Sequence, residues 1–222
     1  MQKILVVGFP RSGTSLSHRI FAKHPEVKGM LFEKWALKQG ATKKELIRKH
    51  PMFNHTCGEK TIWEKRVTGK IGKTDKNIID YALKWNDWFK KDAKIIQIVR
   101  HPYDSLNSLV LSKKRLPRGP GFNTVYPEYL NNASRFVNGI KALPNCMTIK
   151  YENLISKPEK MIKKMYKYCN IDTNHKHPEV MKKGRIFNYK DKEFLFEYDD
   201  RLQNIIDKLN EIEGMIYHND RI

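Results

Sequence analysis

The chain has 222 residues, 40% of them hydrophobic, with ten Phe, ten Tyr and four Trp; it can bury a substantial core, which excludes a disordered chain. Its 43 Lys and Arg against 24 Asp and Glu give a formal net charge of +19, which predicts attraction to anions: nucleic acid, a membrane surface, a phosphorylated cofactor or an acidic substrate. The cysteines, Cys57, Cys146 and Cys169, form no C-x-x-C pair and are odd in number, which argues against a disulfide framework or a zinc site and for reduced thiols in a cytoplasmic compartment.

No apolar run approaches membrane-spanning length. The opening "QKILVVG" runs straight into a strand pattern, so no signal peptide or anchor is expected. Lys3 to Gly8, "KILVVG", is continuous and β-branched, as in a strand buried on both faces. Leu16, Ile20 and Phe21 recur at helical spacing, and that helix should stop before Pro25. "EVKGM" reads as a short second strand. "TKKELIRKH" reads as a helix capped by Thr42, with Glu45 completing a capping box.

The apolar residues between Lys76 and Phe89 mark a helical face. "AKIIQIVR", Ala93 to Arg100, is another buried strand, and Pro102 opens the helix after it. "LPRGPGFNT" is a loop by its Pro and Gly. Tyr129 to Ile140 gives an amphipathic helix, "CMTIKYENL" a strand running into a turn, and "KPEKMIKKMYKYC" and "YDDRLQNIIDKLNEIEGM" two closing helices. Strands alternating with helices predict a single α/β domain over residues 1–222, with a parallel sheet and helices on both faces.

Within "ILVVGFPRSGTS", Gly8 and Gly13 keep the spacing of a nucleotide triphosphate loop, but Thr14 stands where that loop has its lysine. The strand–loop–helix context still aims backbone amides and a helix N-terminus at an anion. Thr14 and Ser15 add hydroxyls, and the cation has moved into the loop as Arg11. Losing the lysine disfavours kinase or NTPase chemistry.

"PRSGTS", Pro10 to Ser15, resembles the 5′-phosphosulfate loop of sulfotransferases that use 3′-phosphoadenosine 5′-phosphosulfate (PAPS). The resemblance implies a P-loop-like sulfotransferase fold, with Arg11, Ser12, Gly13, Thr14 and Ser15 around the donor's 5′ end. "IVRHPYDSLNS", Ile98 to Ser108, is independent of it. Arg100 ends a strand, where ligands bind in open α/β sheets, and Asp104, Ser105 and Ser108 share one helix face. The R-x-P-x-D pattern with a serine eight residues after the arginine resembles the family's 3′-phosphate motif and implies that Arg100 and Ser108 hold that phosphate.

Three further segments are similar to the family. "YENL" suggests that Tyr151 contacts the adenine, with core packing as the alternative. "KKGR" resembles a late basic loop and implies Lys183, Gly184 and Arg185 over the 3′-phosphate, with plain surface lysine enrichment as the competing account. "GEKT" places Lys60 near the transferred group.

Sulfonyl transfer to a hydroxyl needs charge stabilisation, suited to Arg11 and Lys60, and a base. Glu33 is the first choice by likeness to carbohydrate and tyrosine sulfotransferases, with Glu59 and His55 as runners-up. The expected partner is a hydroxyl-bearing carbohydrate, glycolipid or small molecule. The expected product is adenosine 3′,5′-bisphosphate (PAP), with no metal required and no nucleic acid bound. The rival readings are a nucleotide or sugar kinase with a degenerate loop, and a basic nucleic-acid-binding protein.

Overall fold

The computed structural model describes residues 1–8, 11–32, 42–60, 75–105, 108, 143–175 and 200–211. Among these residues, five strands form one sheet in the order β2-β3-β1-β4-β5: β1 (Lys3–Gly8), β2 (Met30–Phe32), β3 (Cys57–Lys60), β4 (Ala93–Val99) and β5 (Cys146–Lys150). Every pairing is parallel. The helices are α1 (Thr14–Ala22), α2 (Lys43–Lys49), α3 (Asp75–Phe89), α4 (Tyr151–Ser156), α5 (Pro158–Tyr168) and α6 (Asp200–Asn210); residues 102–105 are also helical.

β1 lies at the middle of the sheet, so every one of its residues is buried. This is why it reads as an unbroken apolar run rather than an alternating one. On one face, Ile4, Val6, Ile96, Ile98 and Ile149 of the sheet pack with Ile20 and Phe21 of α1 and with Leu154, Ile162, Met165 and Tyr166 of α4 and α5. The Tyr166 hydroxyl donates to the Ile20 carbonyl, 3.2 Å, and burial pushes that phenol up to about 12. The opposite face receives α3. Trp85 is fully buried and its indole donates to the Lys3 carbonyl, 3.0 Å, while its ring meets Phe53 and Phe89.

The Thr42 capping box forms as expected. Two strands depart from the expectation. The segment read as the strand "EVKGM" is instead the descent from α1: Val27 bonds the His24 carbonyl, Glu26 accepts from the Asp172 amide, and β2 begins only at Met30. β3 carries no apolar run of its own, having Gly58, Glu59 and Lys60 in four residues. Its place between β1 and β2 is a tertiary fact that propensity does not encode. The turn expected after β5 is also absent, because Tyr151 starts α4 directly. The helix expected over residues 129–140 lies outside the described residues.

The three cysteines are free. Burial pushes the Cys57 and Cys146 thiols up to about 12 and raises Cys169 as well. Since the thiolate is the nucleophile, all three should resist iodoacetamide at about pH 8 in the native protein and react once urea returns them to an ordinary thiol value of about 8.5. Mass spectrometry of pulsed samples reads this, and rapid native labelling of Cys57 would contradict it.

Candidate active site

Parallel strands share one carboxyl edge, and here that edge collects the residues singled out by motif. Gly8 ends β1, Lys60 ends β3 and pairs in register with Val6 and Phe32, Arg100 follows β4 and Tyr151 follows β5. β2 and β3 lie on one side of β1, β4 and β5 on the other, so the loops leaving β1 and β4 open at a topological switch point.

The loop after β1 folds back tightly. A Cβ at Gly8 would stand 2.7 Å from the Ile98 carbonyl and 2.6 Å from Ser12 Oγ, so only glycine lets Ser12 tuck beneath the loop. Arg11 and Gly13 both adopt left-handed backbone, φ 68° and 105°. Gly13 is the N-cap of α1, and no acidic residue lies in that helix's first turn. The positive end of α1 is therefore not neutralised by its own sequence. Thr14 is buried, Ser15 and Arg11 are exposed, and Ser12 is fully buried with no hydrogen-bond partner for its Oγ among the described residues.

The β4 motif meets this loop directly. Arg100 Nη1 donates to the Arg11 carbonyl, 3.1 Å, and Arg11 Nε donates to Ser108 Oγ, 3.1 Å. Arg100 Nη2 lies 3.6 Å from Asp104 Oδ2, with both side chains about 5% exposed. Among the described residues its Nε and Nη2 have no hydrogen-bond partner. A buried guanidinium is costly unless paired; the Asp104 carboxylate supplies the counter-charge and leaves hydrogen-bonding capacity for a further acceptor.

Tyr151 joins the two halves. The Arg100 guanidinium sits 4.7 Å from its ring centroid, a cation–π contact, while the ring edge presses on Gly13 so closely that a Cβ there would stand 2.3 Å from Cδ2. The next residue, Glu152, accepts from the His101 amide, 2.8 Å, and so fixes the backbone at the start of the helical residues 102–105. Burial lowers the pKa of Lys150, opposed by the nearby Glu152 carboxylate.

Arg11, Ser12, Gly13, Thr14, Arg100, Ser108 and Tyr151 are thus gathered in one cluster at the carboxyl edge of the sheet. Glu33, Lys183, Gly184 and Arg185 lie outside the described residues, although β2 ends at Phe32, the residue before Glu33. His55 falls elsewhere: it precedes β3, and its carbonyl accepts from Lys3 at the start of β1, which is the amino edge of the sheet. A base must reach its proton within hydrogen-bond distance, so His55 is removed as a base. Two residues of the site stand inside the quoted motifs, Asp104 in R-x-P-x-D and Glu152 in "YENL", and the motifs gave neither a role of its own. Asp104 stands four residues after Arg100, a spacing visible in the sequence, whereas Glu152 bonds across 51 positions and leaves no local signal.

A family model described as a sulfotransferase domain matches residues 1–204. Among solved structures, the chain is similar to mouse sulfotransferase SULT7A1 complexed with PAP, at 18% identity and TM-score 0.54, over 77% of this chain and 60% of that one. The chain therefore spans 60% of the mouse protein's length. It is similar to a sulfotransferase domain from the curacin biosynthetic pathway at 13% identity and TM-score 0.62, covering 94% of this chain and 97% of that one. A sulfotransferase from Alicyclobacillus acidocaldarius aligns at 13% identity and TM-score 0.56, over 97% and 96% of the respective chains. These structural likenesses carry the fold alone. No curated protein matches the chain by sequence.

Proposed function

The chain belongs to the sulfotransferase family, and from that premise we propose that it moves a sulfonyl group from PAPS to a hydroxyl of a carbohydrate, glycolipid or small-molecule acceptor. One observation supports this above the others. A buried arginine with two nitrogens that lack a hydrogen-bond partner among the described residues touches, through Tyr151, the left-handed Gly13 cradle at the start of α1. Two anion-seeking groups so close suit a small ligand with charge at both ends of an adenosine.

The residues present fit that ligand. Arg100 and Ser108 would hold the 3′-phosphate through charge-assisted hydrogen bonds. Ser12, Gly13, Thr14 and Ser15, with the amides opening α1, would hold the 5′ end. Tyr151 offers an aromatic face near the base, and Lys183, Gly184 and Arg185 would cover the 3′-phosphate. When bound, PAPS supplies an activated sulfonyl group. Arg11, exposed at the loop, and Lys60, at the end of β3, are the cations suited to stabilising negative charge there. Glu33, directly after β2, is the group assigned to accept the acceptor hydroxyl's proton.

The kinase reading lacks its lysine, since Thr14 opens α1. Thermal-shift titration discriminates the two. Adenosine 3′,5′-bisphosphate should raise Tm without magnesium, while ATP should do little with or without it. Stabilisation by magnesium–ATP together with indifference to the bisphosphate would overturn the proposal.

A further inference from the structure

Helix α5 is amphipathic in a particular way. Its inward residues Ile162, Met165 and Tyr166 are buried in the core shared with α1. Outward, Lys157, Lys160, Lys163, Lys164 and Lys167 are all exposed. At 3.6 residues per turn, those lysines fall within an arc of about 120°. The acid beside them, Glu159, pairs with Lys163 at 2.8 Å. Lys157, Lys160 and Lys163 also border an open depression of about 630 Å³ with Pro158 and Glu159.

We propose that this face is a docking surface for an anionic lipid bilayer, engaged by charge without insertion. Its chemistry separates a bilayer from a protein partner. Protein interfaces are centred on aromatic residues and arginine and are depleted of lysine. This face has five lysines and no arginine, and among the described residues the exposed large hydrophobics are Met1 and Leu83, neither of them on α5. Lysine is a compact, strongly hydrated charge on a flexible stem, suited to a diffuse layer of headgroups rather than to one fixed carboxylate. The apolar side of α5 is already committed to the core, so the helix cannot turn it to the membrane as an inserting amphipathic helix does. Attraction then rests on charge, at about fivefold in affinity per lysine near an anionic leaflet.

The test is co-sedimentation of the full chain with phosphatidylcholine vesicles, with and without an equimolar content of phosphatidylserine. Binding should require phosphatidylserine and fall steeply as salt rises. The variant Lys160→Glu, Lys164→Glu, Lys167→Glu should lose at least about a hundredfold in affinity, with an unchanged far-UV spectrum and Tm as evidence of an intact fold. A control of equal net charge, Lys28→Glu, Lys44→Glu, Lys91→Glu, should bind nearly as the parent does. Equal losses in both variants would show that net charge acts rather than this face, and would overturn the proposal. So would undiminished binding of the α5 variant, or binding to duplex DNA or an acidic protein with none to the vesicles.

Discussion

Replacing Arg100 with alanine is expected to erase the chain's preference for adenosine 3′,5′-bisphosphate over adenosine 5′-monophosphate. Truncating one partner of a buried, hydrogen-bonded charge pair costs about 2–5 kcal/mol, or roughly 30-fold to several thousand-fold in affinity. The monophosphate lacks the 3′ group, so its affinity should change little, and the ratio of the two dissociation constants isolates the arginine's part. Calorimetric titration of both ligands against both proteins gives that ratio. An unchanged preference would mean that the 3′-phosphate is held elsewhere.

The fold enters this experiment through Asp104. With the guanidinium gone, its buried carboxylate loses the counter-charge now 3.6 Å away, and breaking a buried pair this way destabilises by about 3–5 kcal/mol. Arg100→Ala should therefore lower Tm as well as affinity. Pairing it with Asp104→Ala removes the buried carboxylate that faced the guanidinium and should restore much of the stability while leaving the 3′-phosphate preference absent. Arg100→Lys keeps a charge but not the planar fork, and belongs between parent and alanine in preference.

What was legible in the sequence divides along the range of the forces involved. β1 and β4 announced themselves because full burial imposes an apolar, β-branched run on consecutive residues, and the Thr42 cap because its bonds are three residues long. The glycine loop and the R-x-P-x-D segment were legible because a tight turn and a strand-to-helix junction are local geometries. β3 was not legible, since its backbone is held by neighbours on both sides while Glu59 and Lys60 contradict strand propensity. Nor was the contact between the two motifs. Nothing in the spacing of Arg11, Arg100 and Tyr151 tells that the third is interposed between the second and Gly13; that arrangement follows from β1, β4 and β5 lying side by side.

That interposition makes Gly13→Ala the sharpest test of how the site is built. At φ 105° an alanine pays roughly 1–2 kcal/mol for left-handed backbone. Its Cβ would also stand 2.3 Å from Tyr151 Cδ2 and 2.8 Å from Cε2, so the ring must move, and with it the surface against which Arg100 rests at 4.7 Å. The expected result is a stability loss of about 1–3 kcal/mol and a fall of more than tenfold in bisphosphate affinity, larger than the fall for the monophosphate. The two causes separate in a double-mutant cycle with Tyr151→Ala. Removing the ring removes the clash but leaves the backbone strain, so the double mutant should be more stable than the sum of the singles by about 1 kcal/mol or more. Strict additivity would mean that the ring and the loop do not communicate, and that the two anion-binding motifs act as separate sites.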